Sequence, residues 1–150
     1  MVSPLVDLMP AKDLYHATVK AAPIKDGWTI TDDPLTLKIR NRSAAIDLGA
    51  EKMIAAERGS EKIAVEIKSF IGASFINDLE NAWGQFFFYA RILARKEPDR
   101  RLYLAVSQTI AETLLQEEAG KLLLEEPGFR LLVFDPTTQE IIEWKPPIIP

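Results

Sequence analysis

The sequence has no cysteine and only one histidine, His16, among its 150 residues. Without cysteine the chain can form no disulfide, no thiolate metal site and no cysteine nucleophile. A single histidine also excludes a histidine-rich metal site. His16 is most simply a surface or boundary residue, because the sequence offers no evident partner that would make it a general base.

Long apolar runs and an excess of basic charge are missing as well. No run approaches the roughly 20 apolar residues that span a bilayer, and the N-terminus lacks a basic segment followed by an apolar one. We therefore expect a cytoplasmic protein without membrane contact. The net charge of −4 argues against a broad basic surface that coats nucleic acid, because sequence-independent DNA affinity rests on neutralising phosphates. A local basic cleft remains compatible with this charge.

What is present is the composition of an ordinary globular domain. Hydrophobic residues make up 47% and charged residues 27% of the chain, which is typical of folded proteins. A chain of 150 residues is long enough for one domain with a real core. We expect residues 1–8 to form a mobile N-terminal extension, residues 9–145 to form the domain, and residues 146–150 to form an extended, proline-rich tail.

Apolar spacing and turn residues predict the order of helices and strands. That order corresponds to an α/β fold, in which helices cover the faces of a mixed sheet. The predicted elements are a helix from Ala11 to about Ala22 ended by Pro23, strands over residues 27–31 and 35–40, a hairpin around Gly59-Ser60, a helix opened by Asn77 and ended before Pro98, a strand over residues 101–107, helical residues 110–124 divided at Gly120, and strands over residues 130–135 and 140–144.

The hairpin is specific enough to predict its register. A two-residue turn at Gly59-Ser60 is of the kind that hairpins favour. It aligns opposite charges on facing residues and places apolar residues opposite one another on the other face. The predicted pairs are Arg58–Glu61, Glu57–Lys62, Glu51–Lys68, Ile54–Val65 and Ala56–Ile63.

Glu66 and Lys68 lie two residues apart on the second hairpin strand, so their side chains share one face. Asp47 lies in an upstream alternating segment, and the hairpin parity places it on the same face as Glu66. An aspartate followed by Glu-x-Lys on a strand is the skeleton of a metal-dependent phosphodiester-cleaving site. Two carboxylates can hold Mg²⁺, while a lysine steadies the attacking water or the phosphorane charge.

Two alternatives stay open at this point. The carboxylate and the ammonium could be ordinary solvent-facing strand residues, since this pattern also occurs by chance. The second acid is also uncertain, because Glu66 faces Met53, and the six residues from there to Asp47 span about 20 Å of straight strand. A bend at Gly49 would bring Asp47 close. Without it, Glu51 is the better-placed second carboxylate, or it merely pairs with the lysine.

The helix after the hairpin carries Gln85 and Tyr89 four residues apart, hence on one face. Asp47, Glu66-x-Lys68 and Gln85-x-x-x-Tyr89 together resemble the restriction-endonuclease-like PD-(D/E)xK superfamily, most of all its RecB-type nucleases. The resemblance implies a restriction-endonuclease-like fold. A proline often precedes the aspartate in that superfamily and is replaced in this sequence by the preceding isoleucine.

The superfamily resemblance also implies roles for individual residues. Asp47, Glu66 and the main-chain carbonyl of Ile67 would hold Mg²⁺ or Mn²⁺. Lys68 would position or polarise the attacking water, and Gln85 would orient the site from its helix.

Longer segments resemble the XisH family, and the resemblance runs from Met9 to about Trp144. XisH proteins are known as controlling factors for excision of the fdxN element in cyanobacteria, beside a site-specific recombinase and a small partner named XisI. The segments are MPAKDLYH, KDGWTIT, DPLTLKI, DLGAEK, KIAVEIKSF and LYLAV.

The family resemblance implies a role in DNA recombination, with DNA, a recombinase and an XisI-like protein as partners, and it leaves a homo-oligomer open. Three activities fit it. The first is a Mg²⁺-dependent DNA endonuclease, and the second is a non-catalytic regulator that uses the same scaffold to bind DNA, recombinase or XisI. The third is a nuclease that its partner holds inactive.

Overall fold

The structure is a computed structural model that describes residues 15–36 and 53–148. In these ranges the chain forms one α/β domain, as predicted, with a mixed sheet and helices on its faces. The elements are α1 (His16–Lys25), β1 (Thr29–Asp32), β2 (Met53–Arg58), β3 (Glu61–Ile67), α2 (Phe75–Lys96), β4 (Arg100–Ser107), α3 (Gln108–Gln116), α4 (Glu118–Glu125), β5 (Leu131–Asp135) and β6 (Glu140–Lys145).

The strands of the described part pair in sequence order, from β1 to β6. The pairs β1–β2, β2–β3 and β5–β6 are antiparallel, whereas β3–β4 and β4–β5 are parallel. Parallel neighbours need a crossover connection, and α2 provides it between β3 and β4, while α3 and α4 provide it between β4 and β5. The carboxyl ends of β3 and β4 therefore meet at one edge of the sheet.

The predicted hairpin register is confirmed wherever the structure describes it. The turn is the two-residue turn at Gly59-Ser60, and Gly59 has a φ of +62°, which glycine adopts without steric cost. The predicted pair of Glu51 and Lys68 includes a residue outside the described ranges. The confirmed pairs are Arg58–Glu61, Glu57–Lys62, Ile54–Val65 and Ala56–Ile63.

The sheet carries a separate apolar core on each face, as the alternation of strand side chains requires. The first core lies under α2, α3 and α4 and contains Met53, Ala55, Ala64, Leu79, Ala82, Phe86, Leu102, Leu104, Leu114, Leu123 and Phe129. The second core lies on the face covered by α1 and contains Val19, Trp28, Ile54, Ile63, Val65, Ile67, Tyr103, Leu132 and Phe134.

The prediction that Pro23 ends the first helix is wrong. The described helix begins at His16 and continues past Pro23 to Lys25; the predicted first turn, from Ala11, lies outside the described residues. A proline loses its N–H but keeps its carbonyl as an acceptor. The carbonyl of Pro23 still accepts the N–H groups of Asp26 at 3.0 Å and Trp28 at 2.9 Å, which closes the end of the helix.

The prediction that Asn77 opens the long helix is also wrong. The helix begins at Phe75, and the capping residue is Ser74, whose Oγ accepts the N–H of Asn77 at 3.2 Å. Serine is as good a cap as asparagine, and Ser74 has the extended backbone that a cap needs. The predicted end before Pro98 is confirmed, since the helix ends at Lys96.

Contrary to the prediction, Gly120 does not divide the helical residues 110–124. The break lies at Glu117, where the backbone turns extended with a ψ of 135°. Gly120 lies inside α4, and a Cβ there would come within 2.4 Å of the carbonyl oxygen of Leu114. The glycine thus allows α3 and α4 to pack closely.

The predicted strand over residues 35–40 cannot be compared in full, because residues 37–40 lie outside the described ranges. Leu35 and Thr36 belong to no strand. Leu35 nevertheless donates its N–H to the carbonyl of Met53 at 2.9 Å, so this segment is tied to the edge of β2.

Candidate functional site

Glu66 lies in the middle of the sheet and is completely buried. Its facing residues are Met53 on β2 and Leu104 on β4, and its exposed fraction is 0%. The interpretation of Glu66 as an ordinary solvent-facing residue is therefore wrong. Burying a carboxylate costs folding free energy unless other groups compensate its charge. Glu66 therefore differs from the other buried residues of β3, which are all apolar.

Lys68 follows the end of β3 and is half-buried. Its main-chain N–H donates to the carbonyl of Ala105 at 3.1 Å, which extends the pairing with β4 by one residue. Strand alternation therefore still applies to Lys68 and places it on the face of Glu66. The Lys68 Nζ donates a hydrogen bond to the Oε1 of Gln85 on α2.

Gln85 and Tyr89 approach this place from the helix above the sheet. Gln85 is half-buried and Tyr89 is 6% exposed, and their spacing of four residues puts them on one face of α2. The structure thus brings Glu66, Lys68 and Gln85 together at the carboxyl end of β3. A carboxylate, an ammonium and an amide are held by two rigid elements.

Asp47 and Glu51, the two candidates for the second acid, lie outside the described residues, as does the expected bend at Gly49. Ile67 is the last residue of β3 and its side chain packs in the second core, which leaves only its main-chain carbonyl as a ligand. Among residues 15–36 and 53–148, no three His, Cys, Asp or Glu side chains cluster in a way that could hold a metal ion. A metal ion held by three such side chains would therefore need at least one from outside these ranges, as the candidates Asp47 and Glu51 are.

Chemically, the side chains of Glu66, Lys68 and Gln85 are of types that can bind a phosphate group and a divalent cation. An ammonium can stabilise the negative charge of a phosphoryl group, and an amide that accepts its hydrogen bond keeps the ammonium in one position. The buried carboxylate beside it is a hard oxygen donor of the type that Mg²⁺ and Mn²⁺ accept.

No partner for His16 is evident from the sequence, and the structure supplies one. The Nε2 of His16 lies 2.7 Å from Oδ1 of Asp33, and the Nζ of Lys20 lies 2.9 Å from Oδ2 of the same carboxylate. Burial alone raises the pKa of Asp33, but the hydrogen bonds and charges of Lys20 and His16 outweigh it and hold the pKa below its ordinary value. The spacing of four between His16 and Lys20 was the available signal.

None of the helices in the described ranges combines the length and the apolar character that crossing a membrane requires.

Comparisons with known proteins give a consistent result. The family model described as XisH protein matches residues 9–142. A crystal structure of an XisH family protein from Nostoc punctiforme PCC 73102 is 41% identical, with a TM-score of 0.79, and the match covers 88% of this chain and 98% of that one. The crystal structure of an fdxN element excision controlling factor protein from Anabaena variabilis is 43% identical, with a TM-score of 0.78 and the same coverage of both chains. No curated protein matches the sequence.

Proposed function

The chain belongs to the XisH family, and from that premise we propose that it controls excision of a DNA element of the fdxN type through a metal-dependent, phosphodiester-cleaving site. The relative from Anabaena variabilis is described as an fdxN element excision controlling factor. The observation that carries the proposal is the position of buried Glu66 two residues from Lys68, whose ammonium is held by Gln85. DNA is the substrate, and a site-specific recombinase and an XisI-like protein are the partners.

The scaffold proposed is that of the PD-(D/E)xK superfamily. Three features support this placement. They are an antiparallel hairpin carrying Glu-x-Lys, a helix carrying Gln85 and Tyr89, and a strand β4 that runs parallel to β3.

Each residue has a role in this site. Glu66, the carbonyl of Ile67 and either Asp47 or Glu51 would hold Mg²⁺ or Mn²⁺. The bound cation supplies polarisation of a phosphoryl oxygen and a more acidic water. Lys68 places its positive charge beside the phosphate that is attacked, and Gln85 fixes the position of that ammonium.

DNA cleavage tests the proposal directly. Purified protein should nick or cut plasmid DNA with Mg²⁺ or Mn²⁺ and should be inactive with EDTA. Glu66→Gln and Lys68→Ala should each lower the rate by about 100-fold or more, the magnitude expected when one preorganised charged group is lost. The matched controls are Lys62→Ala, an exposed lysine on the same strand, and Glu140→Gln, an exposed strand carboxylate. Cleavage that survives both site substitutions comes from a contaminant and defeats the proposal.

The identity of the second acid has its own test. Asp47→Asn and Glu51→Gln should differ in their affinity for Mn²⁺, measured by calorimetry. Only the substitution that removes the ligand should weaken binding. Equal and unchanged binding in both variants would show that neither acid is a ligand.

A second candidate function is a non-catalytic regulator that binds DNA, recombinase or an XisI-like protein on the same scaffold. The acidic balance of the chain, with a net charge of −4, favours it. In this case Glu66→Gln should leave binding of these partners intact, and no Mn²⁺ should bind. If the protein is instead a nuclease held inactive, adding the XisI-like protein should suppress cutting by the wild type.

A further inference from the structure

One face of α2 points away from both cores and has an unusual composition. Residues at alternating spacings of three and four share one face of a helix, and those on the outward face of α2 are all exposed. The buried residues of α2, including Leu79, Ala82, Phe86 and Leu93, lie on its opposite face. We call the outward set the outer stripe, and it consists of Asn81, Gly84, Phe88, Arg91 and Arg95.

Two residues of the outer stripe are poor choices for a helix face that only meets water. Gly84 lies in the middle of a 22-residue helix, and glycine is the poorest helix former apart from proline. A Cβ built on Gly84 meets no atom of the described residues within 4 Å, so packing inside this part of the chain does not require glycine. Phe88 exposes 51% of its surface.

The remaining feature of the outer stripe is positive charge. Arg91 and Arg95 are exposed and one helical turn apart, three and seven residues beyond Phe88. In the part of the chain that the structure describes, neither guanidinium takes part in an ion pair. Two arginines on one face can each bind a phosphate through a planar, bidentate contact.

We propose that the outer stripe is a docking surface for single-stranded DNA, an inference that rests on the proposed function and names the form of its substrate. Arg91 and Arg95 bind phosphates, and Phe88 stacks on an unpaired base, as aromatic residues do in single-strand binding proteins. Gly84 leaves room for the nucleic-acid backbone to approach the helix closely.

Charge and position favour DNA over a protein as the occupant. The guanidinium groups complement phosphate, and the stripe borders the candidate site, because Asn81 and Phe88 lie four residues before and three residues after Gln85 and are its neighbours on the helix surface. Phe88 lies three residues beyond Gln85, about 4.5 Å along the helix axis. A strand held on the outer stripe would therefore pass beside Gln85, the residue that accepts the hydrogen bond of Lys68.

Binding of a fluorescein-labelled 20-nucleotide DNA strand and of its duplex, measured by anisotropy in EDTA, tests the inference. Phe88→Ala should weaken binding of the single strand about tenfold, within the range measured for one base stacked on an aromatic ring, and should affect the duplex much less. The double variant Arg91→Ala, Arg95→Ala should weaken binding and reduce the slope of log K against log salt by about 1.4, since each phosphate contact contributes about 0.7 on a single strand.

A third variant separates docking from folding. Gly84→Gln should raise the Tm, because glutamine is the better helix former, and should still weaken DNA binding because its side chain blocks the approach. The controls are Lys121→Ala and Leu122→Ala, which remove an exposed cation and an exposed apolar side chain from α4.

Three results would overturn the inference: no single-strand binding by the wild type, unchanged binding in the stripe variants, or a changed oligomeric state in Phe88→Ala with unchanged DNA binding. The last would make the stripe a protein interface. Failure of this inference is distinguishable from failure of the proposed function, because the loss of cleavage in Glu66→Gln does not depend on the stripe.

If the wild type binds single-stranded DNA but never cleaves it, and the stripe variants lose this binding, the inference is supported and the proposed function is not.

Discussion

Two charged side chains of the described residues lie buried in the sheet, and their surroundings differ. The guanidinium of Arg100 donates to the carbonyl of Ile63 at 2.9 Å and to Oε1 of Glu97 at 3.1 Å. These contacts account for its burial in structural terms, because a buried charge needs hydrogen bonds. Glu66 is buried between apolar facing residues at the other end of β3, beside the amine and amide that the proposed function uses.

Asp33 makes stability depend on pH. Its pKa is lowered because the hydrogen bonds and charges of Lys20 and His16 outweigh the opposing effect of burial. A carboxyl whose pKa is lower in the folded than in the unfolded state stabilises the fold above its unfolded pKa, about 3.9. That contribution is lost as the pH falls through the folded value. Urea unfolding should therefore show Asp33→Asn less stable than wild type at about pH 5.5, with the difference shrinking towards pH 3.

The neighbouring Asp32 provides the control for this pH effect. It is exposed, and its side chain accepts a hydrogen bond from the adjacent Thr31, so Asp32→Asn should show a smaller difference at both pH values. A difference for Asp33→Asn that stays constant from pH 5.5 to pH 3 would contradict the assignment.

The sequence predicted part of the candidate site. Strand alternation places Glu66 and Lys68 on one face, and the resemblance to the PD-(D/E)xK superfamily singles out Gln85. Alternation does not say how deeply a face is covered, since that depends on the apolar helix α2 packing over it. The hydrogen bond between Lys68 and Gln85 joins residues 17 apart in sequence, and no local pattern predicts it.

At the scale of elements, prediction succeeded where local chemistry leaves one choice. The hairpin register followed from a two-residue turn and facing opposite charges, and the end of α2 followed from Pro98. Prediction failed where several residues could begin or end the same helix. Ser74 and Asn77 are both good caps, and only the backbone conformation selects Ser74. Gly120 resembled a helix break because the sequence does not show that its missing Cβ is needed by a neighbouring helix.

Two helical glycines should respond oppositely to alanine. In Gly120→Ala the added Cβ would lie 2.4 Å from the main-chain oxygen of Leu114, so α3 and α4 must separate. We expect a loss of about 2 kcal/mol of unfolding free energy, in the range for overpacked cores. Gly84→Ala meets no such atom among the described residues and should gain roughly 0.5–1 kcal/mol from helix propensity.

Urea unfolding of both variants measures these changes under identical conditions. A gain in stability for Gly120→Ala would mean that the two short helices are not held in close contact. A loss for Gly84→Ala would mean that this glycine has a packing role.

At the scale of the whole molecule, residues at the end of β6 and just after it lie beside both cores of the sheet. Trp144 contacts Trp28 and Tyr103, with ring centroids 5.8 and 4.9 Å apart, and so joins β6 to the second core. Beyond it, Pro146 lines a cavity of about 480 Å³ beside Leu115 and Phe129, on the side of the first core. The segment after β6 therefore lies beside the first core at Pro146 and packs against the second core at Ile148.

Deleting residues 146–150 should lower stability without unfolding the domain. Pro147 lies beside Lys62 and Arg101, and Ile148 packs against the second core, so the deletion exposes apolar surface on both sides of the sheet edge. Partial burial of one isoleucine and the prolines stabilises the fold by roughly 1–2 kcal/mol, so the deletion should lower the Tm by roughly 5 °C for a chain of this size.

Ile148→Ala should reproduce much of this fall in differential scanning calorimetry. Ile142→Ala should have almost no effect, because Ile142 is 45% exposed. Equal Tm values for the shortened and the full chain would mean that the tail does not contribute to either core.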